Sequence, residues 1–267
     1  LSKKSATSEV EPHGMPSYEE NAETRALSLF NRGSRQAAAA VLSVALSRSE
    51  NSGNLWLLRA IIRHSQAEWL EALADLETAM CLIPLPASGQ LVLADCYAHT
   101  GHRDLALMAY ERLLDQESLP GNLYAGLYAG FQKCGRGDLA IKACRAAVVS
   151  DPDDHEAYFA MAHCMARLSY SSSCVSAALE KACHLAPDND TYRISLAMQL
   201  INSDRPHDAY RHLAQASIDK LRHLDCLCSA KRLLQLCITA GDNHRRDALD
   251  KSIKRLVSTN QANRPSP

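Results

Sequence analysis

Cysteine and histidine supply the side chains of this sequence that could carry out nucleophilic or metal chemistry. Their densest group lies near the C-terminal end and consists of His223, Cys226, Cys228 and Cys237. Residues two apart on a helix point about 200° apart, so Cys226 and Cys228 could not both bind one tetrahedral metal ion there. The adjacent Cys–His pairs at 163–164 and 183–184 have no third group nearby in the sequence to complete a catalytic triad. The spacing therefore favours buried cysteines and predicts neither a metal nor a cofactor.

A second chemical signal is the Arg-Gly-Asp tripeptide at 136–138, which is known as a cell-adhesion signal. It lies within GRGDLA at 135–140, and a near copy, GHRDLA, stands 34 residues earlier at 101–106. The copy has His-Arg-Asp where the tripeptide would be, although glycine again opens the stretch. Glycine commonly marks a turn between two periodic segments. We therefore interpret both stretches as turns between helices, not as adhesion signals.

The composition limits the class of protein. The 267 residues are 46% hydrophobic but only 5% aromatic, and alanine and leucine dominate, which favours helices packed through small side chains. No apolar run approaches about 18 residues, so no membrane span is predicted. The ten cysteines form no CxxC pair, which favours thiols buried as small hydrophobic groups in the cytoplasm or another reducing compartment. No glycine-rich phosphate loop, HExxH or GxSxG motif is present, so we expect a binding protein and not an enzyme.

A period of 34 residues organises the chain. Alanine recurs at one position of this period, at Ala38, Ala72, Ala106 and Ala140. Within each period, apolar residues recur at i, i+3, i+4 and i+7, pause at a short polar turn, and then recur again, which is typical of two amphipathic helices. A period of about 20–50 residues indicates stacked structural repeats.

The pattern within each period resembles the tetratricopeptide repeat, whose signature is W-x2-L-G-x2-Y followed by A-x3-F-x2-A-x4-P. The clearest copies occupy 53–86, 87–120 and 121–154. In the last of these the matching residues are Tyr124, Leu127, Phe131, Gly135, Ala140, Ala147 and Pro152. A copy with one additional residue occupies 155–189, and weaker copies occupy 19–52 and 190–223.

This resemblance implies an all-α fold, a right-handed α-solenoid of tetratricopeptide-type helix-turn-helix repeats. We expect six repeats over 19–223 and a C-terminal capping helix pair over 224–258, which would cover the last apolar face. The stretch TAGDNHRRDA at 239–248 predicts a longer turn in this pair than in the family. Residues 1–18 and 259–267 are expected to be flexible tails.

By resemblance, positions 2, 5, 9, 12 and 13 of each repeat line a concave groove that binds a peptide or helix of another protein. The candidate groove residues are Asn54, Leu57, Ile61, His64, Leu91, Asp95, Asn122, Ala125, Gln132, Glu156, Phe159, His163, Arg167 and Ile194. One branch of the family clamps the C-terminal carboxylate of Hsp70 or Hsp90 with lysine and asparagine. No lysine stands at the fifth or ninth positions here, so we expect no carboxylate-clamp binding of such tails.

Two interpretations stay open for the apolar groove residues. They either anchor a partner segment or pack between neighbouring first helices of the repeats. The first interpretation predicts a non-catalytic protein-interaction scaffold or adaptor that holds its partner mainly through apolar contacts.

The charge distribution suggests an alternative. The net charge is −1, which makes general nucleic-acid binding unlikely. Residues 1–204 nevertheless hold 17 Lys and Arg against 24 Asp and Glu, whereas residues 205–267 hold 12 against 6. On the last predicted helix, Lys251, Lys254 and Arg255 lie opposite an apolar stripe. Such a basic surface is either a solvated outer face or an adaptor site for RNA or an acidic partner.

Overall fold

The computed structural model describes residues 18–116 and 119–262, and over these ranges it contains fifteen α-helices and no β-strand. The predicted all-α class is therefore confirmed. Helix contacts divide the chain into unit 1, residues 1–116, and unit 2, residues 117–267. Most of the two predicted tails lies outside the described residues.

Unit 1 consists of three helix pairs in sequence. Its helices are α1 (Tyr18–Asn31), α2 (Arg35–Leu46), α3 (Gly53–Ser65), α4 (Trp69–Leu82), α5 (Ala87–His99) and α6 (Arg103–Leu114). Each helix packs against the next one in the chain, and α3 also contacts α1 and α5. The first helices of successive pairs are therefore neighbours in this unit.

Unit 2 begins with a 3₁₀ turn at Gly121–Leu123 and continues in the same way. Its helices are α7 (Tyr124–Lys133), α8 (Gly137–Ser150), α9 (His155–Arg167), α10 (Ser172–Leu185), α11 (Asp190–Asn202), α12 (Pro206–Leu213), α13 (Ile218–Arg222), α14 (Leu227–Ala240) and α15 (Asn243–Ala262). The first helices α7 and α9 contact each other, as do α11 and α14. The predicted repeat at 190–223 departs from the pattern, because its second helix has only eight residues and the short α13 follows it.

The periodic alanines are buried in both units. Fourteen of the alanines at the periodic and nearby helical positions are almost completely buried: Ala26, Ala38, Ala45, Ala60, Ala72, Ala79, Ala94, Ala106, Ala140, Ala147, Ala162, Ala182, Ala197 and Ala209. A methyl group lets two helix backbones approach closely, whereas a larger side chain would separate them or require repacking. The positions at which neighbouring helices pack together therefore recur every 34 residues, as the sequence pattern does.

The turn within each repeat contains one residue in the left-handed backbone region. These residues are Gly33, Ala67, Gly101, Gly135, Ser169, Asp204 and Gly241, with φ between 56° and 89°. The next residue donates its backbone N–H to the carbonyl five positions earlier, as Arg136 does to Phe131 at 2.8 Å. This arrangement ends a helix in the Schellman manner. Of the stretch 135–140 that was predicted to be a turn, only Gly135 and Arg136 lie between the helices, because α7 ends at Lys133 and α8 already begins at Gly137.

Exchanging alanine and glycine at two equivalent turns should have opposite effects on stability. Ala67 has a φ of 62°, which is unfavourable for a residue with a Cβ atom. Ala67→Gly should raise the free energy of unfolding by about 0.5–1 kcal/mol, and Gly101→Ala should lower it by about 1 kcal/mol. No atom lies within 4 Å of a Cβ built on Gly101. The added methyl group therefore causes no clash, and the change in stability reports only the strain of the left-handed backbone. Urea unfolding followed by circular dichroism measures the free energy of unfolding of both variants. A higher value for Gly101→Ala than for wild type would contradict the left-handed conformation at this turn.

The expectation of a long turn in the capping pair was wrong. Helix α14 extends to Ala240 and α15 starts at Asn243, so only two residues connect them. Gly241 takes the left-handed conformation, and the Asp242 carboxylate accepts the backbone N–H of Arg245 at 3.0 Å. The stretch at 239–248 is polar, which suggested a loop. Asp242 instead caps a helix, so the polar residues that follow it form the first turn of α15. The helix then continues to Ala262, beyond the predicted end at 258.

The expectation that the cysteines are small buried hydrophobic groups was only half right. Cys96, Cys134, Cys144, Cys164 and Cys237 are buried, and burial raises the pKa of the Cys237 thiol to about 11. Cys81, Cys174, Cys226 and Cys228 are exposed instead. Cys226 directly precedes α14, and the other three lie within helices. All ten are free thiols.

Candidate functional site

In unit 2, the predicted groove side corresponds to α7, α9 and α11, which are the first helices of its repeats. Of the residues predicted to line it, five are exposed: Asn122, Ala125, Glu156, His163 and Arg167. Gln132 and Phe159 are half-buried, whereas Ile194 is buried. We refer to this surface of α7, α9 and α11 as the unit 2 groove.

An aromatic cluster joins α9 to α11 in the unit 2 groove. The Phe159 ring lies 4.4 Å from the Tyr192 ring and 4.5 Å from the His163 ring, the second contact being edge-to-face. The Tyr192 hydroxyl also lies 2.9 Å from Nδ1 of His155, within hydrogen-bond distance. Because aromatic pairs at such distances add to the effect of burial, Phe159 is partly a packing residue. Sequence reasoning missed Tyr192, which stands at the third position of its repeat.

A cavity of about 240 Å³ opens in the unit 2 groove between α9 and α11. Its lining residues come from four helices and are all uncharged or neutral at ordinary pH: Ala162, His163, Ala166, Val175, Leu179, Ile194, Ser195, Met198, Gln199, Asn202 and Ser229. The ring of His163 is partly exposed, but the protein atoms around it desolvate it and lower its pKa. A concave, mostly apolar space with a few polar groups is typical of a binding site.

The sequence predicted two residues of this cavity, His163 and Ile194. It missed Met198 and Asn202, although they stand at the ninth and thirteenth positions of the repeat at 190–223 and the same register would have found them. It had no signal for Val175, Leu179 and Ser229, because they belong to other helices that reach the cavity only in the folded unit.

Next to the cavity, a polar contact connects α7 to α9. The Gln132 side-chain amide donates to the Cys164 sulfur at 3.0 Å. Gln132 and Arg167 also line a small space of about 90 Å³ beside the turn that precedes α8. Gln132 therefore connects α7 to α9.

In unit 1, the groove side is formed by α3 and α5. Asn54 is exposed, Ile61, His64, Leu91 and Asp95 are partly buried, and Leu57 is buried. A methyl group added at Gly89 of α5 would lie 2.9 Å from Leu57, so this leucine packs directly under α5.

Asp95 is the centre of a polar cluster in unit 1. One of its carboxylate oxygens lies 2.6 Å from Nε2 of His64 and 3.8 Å from Nε2 of His99, and the other accepts the Tyr110 hydroxyl at 3.3 Å. The Trp69 ring stacks on the His99 ring with centroids 3.8 Å apart. Together with burial, the charge of Asp95 raises the pKa of the neighbouring Cys96 thiol to about 12. Two predicted groove residues, His64 and Asp95, thus bind each other and join α3 to α5.

The burial of Leu57 and Ile194 bears on the two interpretations that the sequence left open for the apolar groove positions. Both are less than a tenth exposed, because they stand where neighbouring helices meet. Leu91 and Phe159 are intermediate, whereas Ala125 is exposed. The two interpretations of these positions therefore apply to different residues: packing for Leu57 and Ile194, and an accessible surface for Ala125.

Comparisons with known proteins identify the fold. No family model matches this sequence, and no curated protein matches it. Among solved structures, the C-terminal part of a TPR repeat-containing protein from Cytophaga hutchinsonii is similar, with a TM-score of 0.68 and 16% identity over 90% of this chain and 97% of that chain. This chain has the tetratricopeptide-repeat fold.

Two other solved tetratricopeptide-repeat proteins are similar to this chain. One is YrrB, described as a TPR protein with an unusual peptide-binding site; it has a TM-score of 0.54 and 18% identity over 66% of this chain and 91% of YrrB. The other is TTC0263, a thermophilic TPR protein from Thermus thermophilus, with a TM-score of 0.51 and 19% identity over 68% of this chain and 99% of that protein.

The predicted basic surface of this tetratricopeptide-repeat chain lies on α15. Lys251, Lys254 and Arg255 are all exposed, but they differ in their contacts. The Arg255 guanidinium donates to the backbone carbonyl of Leu224, so it stabilises the chain before α14. Arg255 is therefore both exposed and engaged in a hydrogen bond to the backbone. The basic surface that is left consists of Lys251 and Lys254, and binding of RNA or an acidic partner there stays a hypothesis.

No helix within 18–116 or 119–262 is both long enough and apolar enough to cross a membrane.

Proposed function

We propose that this protein is a non-catalytic interaction scaffold or adaptor that binds a peptide or helix of another protein in the unit 2 groove, mainly through apolar contacts. The observation that carries the proposal is the cavity between α9 and α11. It lies on the first helices of consecutive repeats, which is where the family's register predicts a binding groove.

The composition of the groove supports this function. Ala125 and Ala129 present small exposed side chains along α7, so a partner segment can approach the helix closely. Apolar burial contributes about 25 cal/mol per Å², and part of that gain offsets the cost of ordering the partner. Moderate affinity with weak salt dependence is the expected signature.

The similarity to YrrB supports the same proposal at the level of the fold, because a peptide-binding site is described for that protein. The two chains are 18% identical, so the similarity does not specify the partner.

A single exposed substitution tests whether the unit 2 groove binds partners. Ala129→Arg places a long charged side chain in the groove at an exposed position of α7. It should abolish capture of partner proteins from a lysate of the source organism while leaving helicity and the unfolding midpoint unchanged. Capture is measured by affinity purification and mass spectrometry of wild type and variant in parallel.

Val149→Arg is the matched control, because Val149 of α8 is 83% exposed in the same unit but does not belong to a groove helix. It adds the same charge and should leave capture intact. Proteins that bind wild type, Ala129→Arg and Val149→Arg equally well would show that the groove is not the binding surface. Proteins lost only with Val149→Arg would assign binding to the outer helices.

A further inference from the structure

The cavity in the unit 2 groove has an apolar interior and a polar rim. Val175, Leu179 and Ile194 are buried and contribute to its wall. His163, Ser195 and Asn202 also line it and are accessible to solvent. Among the residues that the structure describes, no Asp, Glu, Lys or Arg lines the cavity. A charged side chain would lose its hydration there without an oppositely charged partner, which is strongly unfavourable.

We propose that this cavity is an anchor pocket for one large, uncharged apolar side chain of a partner segment that lies extended across α9 and α11. This inference rests on the proposed function and adds the chemistry of the partner: an extended, uncharged stretch of chain with a single apolar anchor.

The size of the cavity agrees with a single side chain. Pockets that enclose whole small-molecule ligands generally measure about 300–1,000 Å³, and this one is smaller at about 240 Å³. An apolar cavity of about 150 Å³ is already large enough for a benzene ring. One leucine, methionine or phenylalanine side chain therefore fits, whereas a second anchor would have to bind elsewhere in the groove.

The rim favours an extended segment over a helix. Ser195 and Asn202 line the cavity and are accessible to solvent, so a partner can reach their hydroxyl and amide groups at the rim. The backbone N–H and C=O groups of a helix are already paired within the helix. An extended segment exposes those groups and requires partners for them. The uncharged donors and acceptors around the apolar pocket provide hydrogen-bond partners for the peptide backbone, and they do not favour a charged side chain in the peptide.

Selection from a random library of displayed 12-residue peptides tests the inference on the full chain. The expected result is a family of peptides that share one large apolar residue at a fixed position and have no charged residue beside it. Replacing that residue with alanine in a synthetic, fluorescently labelled peptide should weaken binding by about tenfold or more, which is the effect of losing a buried anchor. Fluorescence anisotropy measures the affinity.

Ala166→Phe tests the position of the pocket. Ala166 is exposed at the cavity, so a phenyl group there fills its opening without changing the buried core. This variant should weaken the selected peptide by about tenfold or more. Ala177→Phe, at an exposed position of α10 that does not line the cavity, is the matched control and should change affinity less than about twofold.

The outcomes separate this inference from the proposed function. If Ala129→Arg prevents binding of the selected peptides but Ala166→Phe does not, the result would support binding in the groove and overturn the anchor pocket. Selected peptides with a conserved charged residue, or peptides that bind as helices in transferred nuclear Overhauser measurements, would also overturn it. If no peptide is enriched although Ala129→Arg abolishes capture of folded partners, the groove functions but does not recognise an extended segment.

Discussion

Replacing Asp75 with alanine should lower the free energy of unfolding by about 3–5 kcal/mol, because it leaves two guanidinium groups without their shared carboxylate. Asp75 of α4 is 2% exposed. One of its oxygens accepts from Arg59 at 2.8 Å, and the other accepts from Arg59 at 2.9 Å and from Arg63 at 2.8 Å. The measurement is urea-induced loss of helicity followed by circular dichroism.

The surroundings of Arg59 explain why the expected loss is large. Its guanidinium lies 4.6 Å from the Trp56 ring centroid and donates to the Ser43 hydroxyl at 3.0 Å, so α2, α3 and α4 all contribute to the cluster. Such a buried cation cannot turn to solvent without breaking these contacts. Removing its carboxylate therefore leaves an uncompensated charge in the interior of unit 1.

Asp138→Ala is the matched control for Asp75→Ala. Asp138 forms a 2.7 Å ion pair with Arg136 that is largely exposed. That contact lowers the pKa of Asp138, but exposed pairs are worth less than about 1 kcal/mol. If Asp75→Ala and Asp138→Ala lower the free energy of unfolding equally, burial does not explain the contribution of the Asp75 cluster to stability.

Truncating Phe131 to alanine should lower the free energy of unfolding by about 3–5 kcal/mol. Phe131 of α7 is fully buried and is one of the largest such side chains in the chain. Its removal loses apolar burial and leaves a cavity that backbone movement fills only in part. Urea unfolding of the purified variant gives the change.

Phe131→Leu and Val149→Ala are the controls for Phe131→Ala. Phe131→Leu retains most of the apolar volume and should cost distinctly less than the alanine variant. Val149→Ala shortens a side chain that is 83% exposed and should stay within about 0.5 kcal/mol of wild type. If Phe131→Ala lowers the free energy of unfolding by less than about 1 kcal/mol, the neighbouring side chains fill the space that the ring leaves and no cavity forms.

The sequence by itself determined the repeat and the all-α class with its helix pairs. These features depend on contacts within one 34-residue period, so a local pattern is sufficient to specify them. Alanine recurs where two helices meet, and all the periodic alanines are buried. Glycine marks the left-handed turn residue at 33, 101 and 135, whereas Ala67, Ser169 and Asp204 take the same conformation without a glycine to mark it in the sequence.

Only the tertiary structure decided how deep each groove position lies and which residues meet there. Leu57, Ala125 and Ile194 occupy the same position of their repeats, yet only Ala125 is exposed. A periodic pattern specifies the face of a helix but not its distance from the neighbouring helices, and that distance depends on the side chains of every helix in contact. The pairing of His64 with Asp95 and of Arg59 with Asp75 joins residues 31 and 16 positions apart. The cavity between α9 and α11 has the same origin, because four helices must pack before its wall exists.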